Sequence, residues 1–248
     1  MKSLAWRAAA ALWIAVAASA ANAAGAAERN ARFVLDLEVD TRDRWQRGAE
    51  HADGRARQTW HLSATLRTDG QAIAFNRLDT ATMLHPVAHV AHRYLDFQAF
   101  SACDPKLKAS TDERIDGELH DAQGAAPYAV TTQGEGRASG GALMALCMQM
   151  NFVLDTATGT LHSAGNVPLP EMTVASVREE RGRPARRSTV ALQPPPEVMQ
   201  WVGRQLQRMP KSGAASTELP LLRDRVHAGG GTYEGTAQVR VRWSFEAK

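Results

Sequence analysis

Alternation of apolar and polar residues at every second position dominates the chain, and it is clearest at the two ends. In TYEGTAQVRVRWSFEA, Tyr233, Ala237, Val239, Val241, Trp243 and Phe245 are apolar, while Glu234, Thr236, Gln238, Arg240, Arg242 and Ser244 are polar. Successive side chains of a strand point to opposite faces, so this pattern predicts a strand with one buried and one wet face. RFVLDLEVD repeats it, with Phe33, Leu35, Leu37 and Val39 against Asp36, Glu38 and Asp40. Two long strands of this kind are expected in one antiparallel sheet.

Between them, Trp60, Leu62, Ala64 and Leu66 alternate up to Asp69-Gly70, a pair suited to a tight hairpin turn, and Ile73 and Phe75 follow. Leu146 to Asp155 reads as a strand with Met148, Met150, Phe152 and Leu154 on one side. Met172 and Val174 begin a strand that turns at Arg183-Pro184 and returns through Thr189 to Leu192. Ile115 and Leu119 mark a weaker strand before Asp121. Ala49 to Arg57, Gly134 to Gly141, Lys211 to Thr217 and Ala228 to Gly231 read as loops.

Helical spacing is rarer. After Pro194-Pro195-Pro196, the residues Val198, Trp201, Val202, Gln205 and Leu206 recur at i, i+3, i+4, i+7 and i+8, and Pro210 closes the run. The stretch HPVAHVAHRYLD is the other candidate helix. There His85, His89, His92 and Asp96 fall at about 0°, 40°, −20° and 20° on a helical wheel, while Val87, Val90, Ala91, Tyr94 and Leu95 form the opposite, apolar stripe. The fold class predicted is therefore mainly β: an antiparallel sheet or sandwich with one or two packed amphipathic helices. Residues 24–248 form the β-rich part, with a candidate division into subdomains near 125–142.

The first residues change the picture of where the protein works. Lys2 and Arg7 precede an apolar run from Ala8 to Ala18 and then Ala21-Asn22-Ala23, the pattern of a secretory signal peptide over 1–23. The apolar run is too short to span a bilayer, and no later stretch reaches about 20 apolar residues. Cleavage would leave 27 basic and 26 acidic residues, which excludes the basic excess of a nucleic-acid binder. The richness in Ala and Arg fits a GC-rich bacterial genome. Export also bears on Cys103 and Cys147, the two cysteines of the chain, because an oxidising compartment favours joining them in a disulfide.

Candidate chemistry is sparse. The His85, His89, His92 and Asp96 face could present ligands to zinc or copper, since imidazole suits both metals, although Pro86 makes His85 a cap and a solvated polar face explains the same spacing. Arg178, Arg181, Arg183, Arg186 and Arg187 crowd one predicted hairpin tip and could grip an anionic lipid or polysaccharide, with Glu179 and Glu180 diluting the charge. Glu113, Asp116 and Glu118 form a short acidic cluster of the sort that solubilises a strand. GxSxG, SxxK, HExxH, CxxC, P-loop and dinucleotide signatures are absent from the sequence. A hydrolase built from scattered carboxylates would leave no local signature.

Apolar-polar alternation also occurs in outer-membrane barrels, but Glu246, Ala247 and Lys248 follow the last aromatic residue and the triple proline interrupts the strands. The expectation is thus an exported cell-envelope protein, periplasmic or secreted, that binds or scaffolds an envelope protein or a polysaccharide without catalysing a reaction. A zinc or copper protein and a hydrolase are the rival readings.

Overall fold

The computed structural model describes residues 29–68, 94–99, 103–121, 124–163, 167, 169–181, 183–221 and 231–247. The signal-peptide pattern, the Asp69-Gly70 turn with Ile73 and Phe75, and His85, His89 and His92 lie outside these residues.

Among the described residues twelve strands form one antiparallel sheet: β1 (Arg29–Arg47), β2 (Glu50–Thr68), β3 (Tyr94–Gln98), β4 (Lys106–Asp121), β5 (Gly124–Arg137), β6 (Asn151–Asp155), β7 (Thr160–Ser163), β8 (Met172–Glu180), β9 (Arg186–Leu192), β10 (Arg208–Pro210), β11 (Ser212–Pro220) and β12 (Thr232–Ala247). Two helices, α1 (Gly141–Gln149) and α2 (Pro196–Gln207), complete the described elements.

The end strands pair directly, Phe33 with Phe245 and Val39 with Val239, so the two clearest alternations in the sequence face each other. Phe33, Leu35, Leu37, Val39, Val239, Val241 and Phe245 are buried. The polar positions between them form a charged outer face. Arg57 lies 2.5 Å from Glu38, and Arg240 bridges Glu38 and Asp40 at 3.2 Å each, linking β2, β1 and β12. Apolar residues toward the core and charges outward reverse the order of a lipid-facing strand. Among the described residues no helix is long and apolar enough to cross a membrane.

From β2 the sheet continues in two directions. Near its end, Arg67 pairs with Gln98 of β3, and the path runs through β6 and β7 to β10. The chain then bends at Lys211, whose carbonyl accepts from the Phe245 N–H at 2.6 Å, and enters β11 beside β12. This circuit encloses an aromatic core, with ring centroids 4.5 Å apart for Phe33–Phe152 and 5.1 Å for Phe97–Phe245. Along the rest of β2 the partner is β4, and β5, β8 and β9 follow as an open wing. β9 ends the strand path. The 125–142 segment is mostly β5, hydrogen-bonded to β4 on one side and β8 on the other.

The expected stripe of α2 is the one it buries: Val198, Trp201, Val202 and Leu206. Pro195 and Pro196 start the helix, where a missing N–H costs nothing, and the chain leaves it at Arg208 for β10. Cys103 and Cys147 stand at disulfide distance, with Cα atoms 5.1 Å apart, and the pair ties α1 to the start of β4.

Several sequence expectations require correction. Leu146 to Asp155 is not one strand: it divides between α1 and β6. Gly141–Gln149 holds Ala, Leu, Met and Gln and no β-branched residue, so helix is its intrinsic preference, and Met148 is exposed rather than facing the core with Phe152. Tyr94 to Asp96 is strand rather than the end of a helix, because all five residues of β3 pair with β6 and drive Leu95 and Phe97 into the core.

The stretches 49–57 and 211–217 are largely strand, while 134–141 is strand only as far as Arg137, the expected loop shrinking to residues 138–140 before α1. Their glycines and small residues signal close packing instead of loops. A Cβ on Gly54 would lie 2.2 Å from the Asp43 carboxylate, one on Gly134 would lie 2.8 Å from the Ala175 carbonyl, and one on Gly213 would lie 2.5 Å from the Trp243 ring. The turn proper in the first stretch is Gly48-Ala49, with Gly48 at φ +61°.

Candidate functional site

Each sequence candidate has a definite place or lies outside the description. Asp96 is on β3, on the face opposite Leu95 and Phe97, and accepts a hydrogen bond from Gln98 Nε2 at 2.6 Å. The helical alignment that would bring it to the three histidines is therefore corrected. Among the described residues no group of three or more His, Cys, Asp or Glu side chains is arranged to hold a metal.

The acidic cluster is divided by the pleat of β4. Glu113 shares a face with Thr111, while Asp116 and Glu118 point the other way. Asp116 accepts from Arg114 Nε at 2.6 Å, which holds its carboxyl below the usual carboxylate range. Glu118 lies 3.5 Å from His120 Nε2.

The five hairpin arginines also separate. Arg178 and Arg186 are directly opposite each other on one face, and Arg187, opposite Val177, is on the other. Arg181 and Arg183 sit in the turn, where the Arg181 N–H donates to the Ala129 carbonyl at 3.0 Å and Arg183 pairs with Glu180 at 3.2 Å.

Arg187 belongs to a feature that sequence reasoning missed. A groove of about 580 Å³ crosses β4, β5, β8 and β9, lined on its exposed side by Ser110, Asp112, Gln133, Glu135, Ala175, Val177 and Arg187. The register explains the assembly. Asp112 stands opposite Gln133, Gln133 opposite Val177 and Val177 opposite Arg187, while Ser110 stands opposite Glu135 in the neighbouring row. Paired residues share a face, so residues scattered over 78 positions of sequence converge because four strands align them.

The intervening positions Thr111, Gly134, Ser176 and Ser188 supply the groove floor and face the other way. Gly134 keeps β5 and β8 close, and the Ser176 hydroxyl bonds the Ser188 hydroxyl at 2.8 Å. Ser110 and Thr59 hydroxyls lie 2.7 Å apart. The groove therefore offers two carboxylates, an amide, a hydroxyl, one guanidinium and the exposed apolar surface of Ala175 and Val177. At about 4.8 Å per strand, its four strands span roughly 14 Å. It is an open depression of the sheet surface, wide enough for an extended ligand to lie across the strands.

No signal in the local sequence marks this site. The residues are ordinary polar positions of separate strands, and only the pairing of β5 with both β4 and β8 brings them together. The chain matches no protein-family profile and no curated protein sequence.

Proposed function

We propose that this is an exported, non-catalytic binding module that takes a hydroxyl-rich ligand, a polysaccharide segment of the cell envelope, in the β4–β5–β8–β9 groove. The observation that carries the reading is the groove's chemistry. Asp112 and Glu135 can each accept hydrogen bonds from vicinal hydroxyls, and Gln133 and Ser110 can donate as well as accept. Arg187 adds five N–H donors, and Val177 offers an apolar patch for the less polar face of a sugar ring. The export part of the proposal rests on the pattern over residues 1–23, and the close approach of Cys103 and Cys147 suits an oxidising compartment.

Screening the purified protein against an array of bacterial and plant glycans tests the reading. Binding to at least one glycan should fall by about tenfold or more in Asp112→Ala and Gln133→Ala, since each deletes a hydrogen-bonding group worth on the order of 1.4 kcal/mol or more. Glycan binding unchanged by both substitutions would place the ligand elsewhere.

The pair Asp112 and Glu135, in adjacent register rows, favours a second reading as a glycoside hydrolase, whose chemistry uses two carboxylates flanking the scissile bond. Release of reducing ends from a glycan panel, abolished in both Asp112→Asn and Glu135→Gln, would replace the binding reading with this one.

A further inference from the structure

We infer that Arg178 and Arg186, together with the Tyr128 hydroxyl, form a binding site for a phosphate group on the face of the β8–β9 hairpin opposite the groove. The two arginines are directly opposed in the antiparallel register, so their Cβ atoms stand about 5 Å apart and both guanidiniums can reach one anion. Like charges in that arrangement repel, and an exposed pair is relieved by an anion between them. Both side chains are exposed, and among the described residues neither makes an ion pair.

Surrounding acids do not neutralise the pair. Glu180, on the same face of β8, is engaged by Arg183 at 3.2 Å. Glu179 projects from the opposite face, and Glu113 shares the register row of Arg178 with the strand of Thr132 between them. Arg178 Nη2 reaches the Tyr128 hydroxyl at 3.4 Å, a long contact that leaves the phenol O–H available as a third donor. Arg181, its backbone fixed to Ala129, adds positive charge at the turn.

The donor set selects the ligand class. Two planar guanidinium forks and a phenol can engage more oxygens than a carboxylate provides, whereas a phosphate offers three or four and a larger negative charge. A soluble phosphate ester and a phospholipid headgroup present the same group. The site stands apart from the groove reading, because Arg178 and Arg186 do not line the groove.

Inorganic phosphate titrated into the ¹⁵N-labelled protein, with the arginine Nε–Hε signals observed, tests the inference. Saturable shifts are expected at Arg178 and Arg186, and affinity should drop at least tenfold in Arg178→Gln and Arg186→Gln. Tyr128→Phe should weaken binding by a smaller factor. Both arginines are exposed, so these variants should keep the wild-type melting temperature in phosphate-free buffer, and phosphate should raise it only in the wild type. Sedimentation with phosphatidylcholine vesicles containing phosphatidic acid, reversed by free phosphate, would assign the headgroup as the source. Phosphate binding without sedimentation would assign a soluble ester. Absent shifts, uniform surface shifts, or wild-type affinity retained in Arg178→Gln and Arg186→Gln would overturn the site.

Discussion

Replacing both Cys103 and Cys147 with serine isolates the contribution of the one covalent cross-link. The bond joins residues 44 apart in sequence. In the chain-entropy treatment, closing a loop of that length removes about 13 cal/mol/K from the unfolded ensemble, equivalent to about 4 kcal/mol at 25 °C. A local loss adds to this, because α1 buries only Leu146 and Cys147, and a serine hydroxyl in place of the buried Cys147 sulphur needs a partner.

Urea unfolding followed by tryptophan fluorescence reads the difference. The oxidised wild type should exceed the double variant by about 4 kcal/mol, and the variant's m-value should rise as its unfolded state becomes less compact. Reduced wild-type protein should behave as the variant does. A difference below about 1 kcal/mol with an unchanged m-value would refute the reasoning, since the cross-link would then restrict little of the unfolded chain.

Three further outcomes follow from the packing. Phe152→Ala, which empties the centre of the Phe33, Phe152 and Phe245 cluster, should cost about 3–5 kcal/mol in the same unfolding assay. Gly213→Ala should cost about 1–3 kcal/mol, because its Cβ would meet the Trp243 ring at 2.5 Å while the Trp243 N–H is committed to the Pro210 carbonyl at 3.0 Å. His162 is buried, and desolvation, reinforced by the charge of Arg208 against the opposing pull of Asp155, holds its pKa below the ordinary imidazole value. The unfolded chain then takes up the proton first, so stability should fall as pH drops through about 6.5, and His162→Gln should flatten that part of the melting-temperature profile.

The sequence made the ends of the chain legible because β1 buries one face from Ala31 to Val39 and β12 from Ala237 to Phe245, and a buried face imposes strict alternation. The α2 stripe was readable for the same reason, with Trp201 and Leu206 packed on the core. Strands of the open wing hid behind composition. Gly134 and Gly136 resemble a loop until the proximity of Ser176 and Val174 shows why side chains are excluded there.

The region from Leu146 to Asp155 was misread because Met148, Met150, Phe152 and Leu154 are apolar at alternate positions on both sides of a helix-to-strand junction, and periodicity alone cannot mark that junction. The groove was illegible in principle. Asp112, Gln133, Val177 and Arg187 become neighbours through register, which depends on pairings distant in sequence. The arginine cluster was visible as a run, but its division between two faces follows from the pleat and the turn at Arg183.

The proposed function stands on a hydroxyl-rich ligand sitting in the β4–β5–β8–β9 groove. Backbone ¹H–¹⁵N spectra recorded during titration with a glycan found by array screening test it most directly. Saturable shifts are expected at residues 110–112, 133–135, 175–177 and 187–188, with shifts and affinity both reduced in Asp112→Ala. Saturable shifts clustered away from these four strands, with the groove signals unmoved, would contradict it.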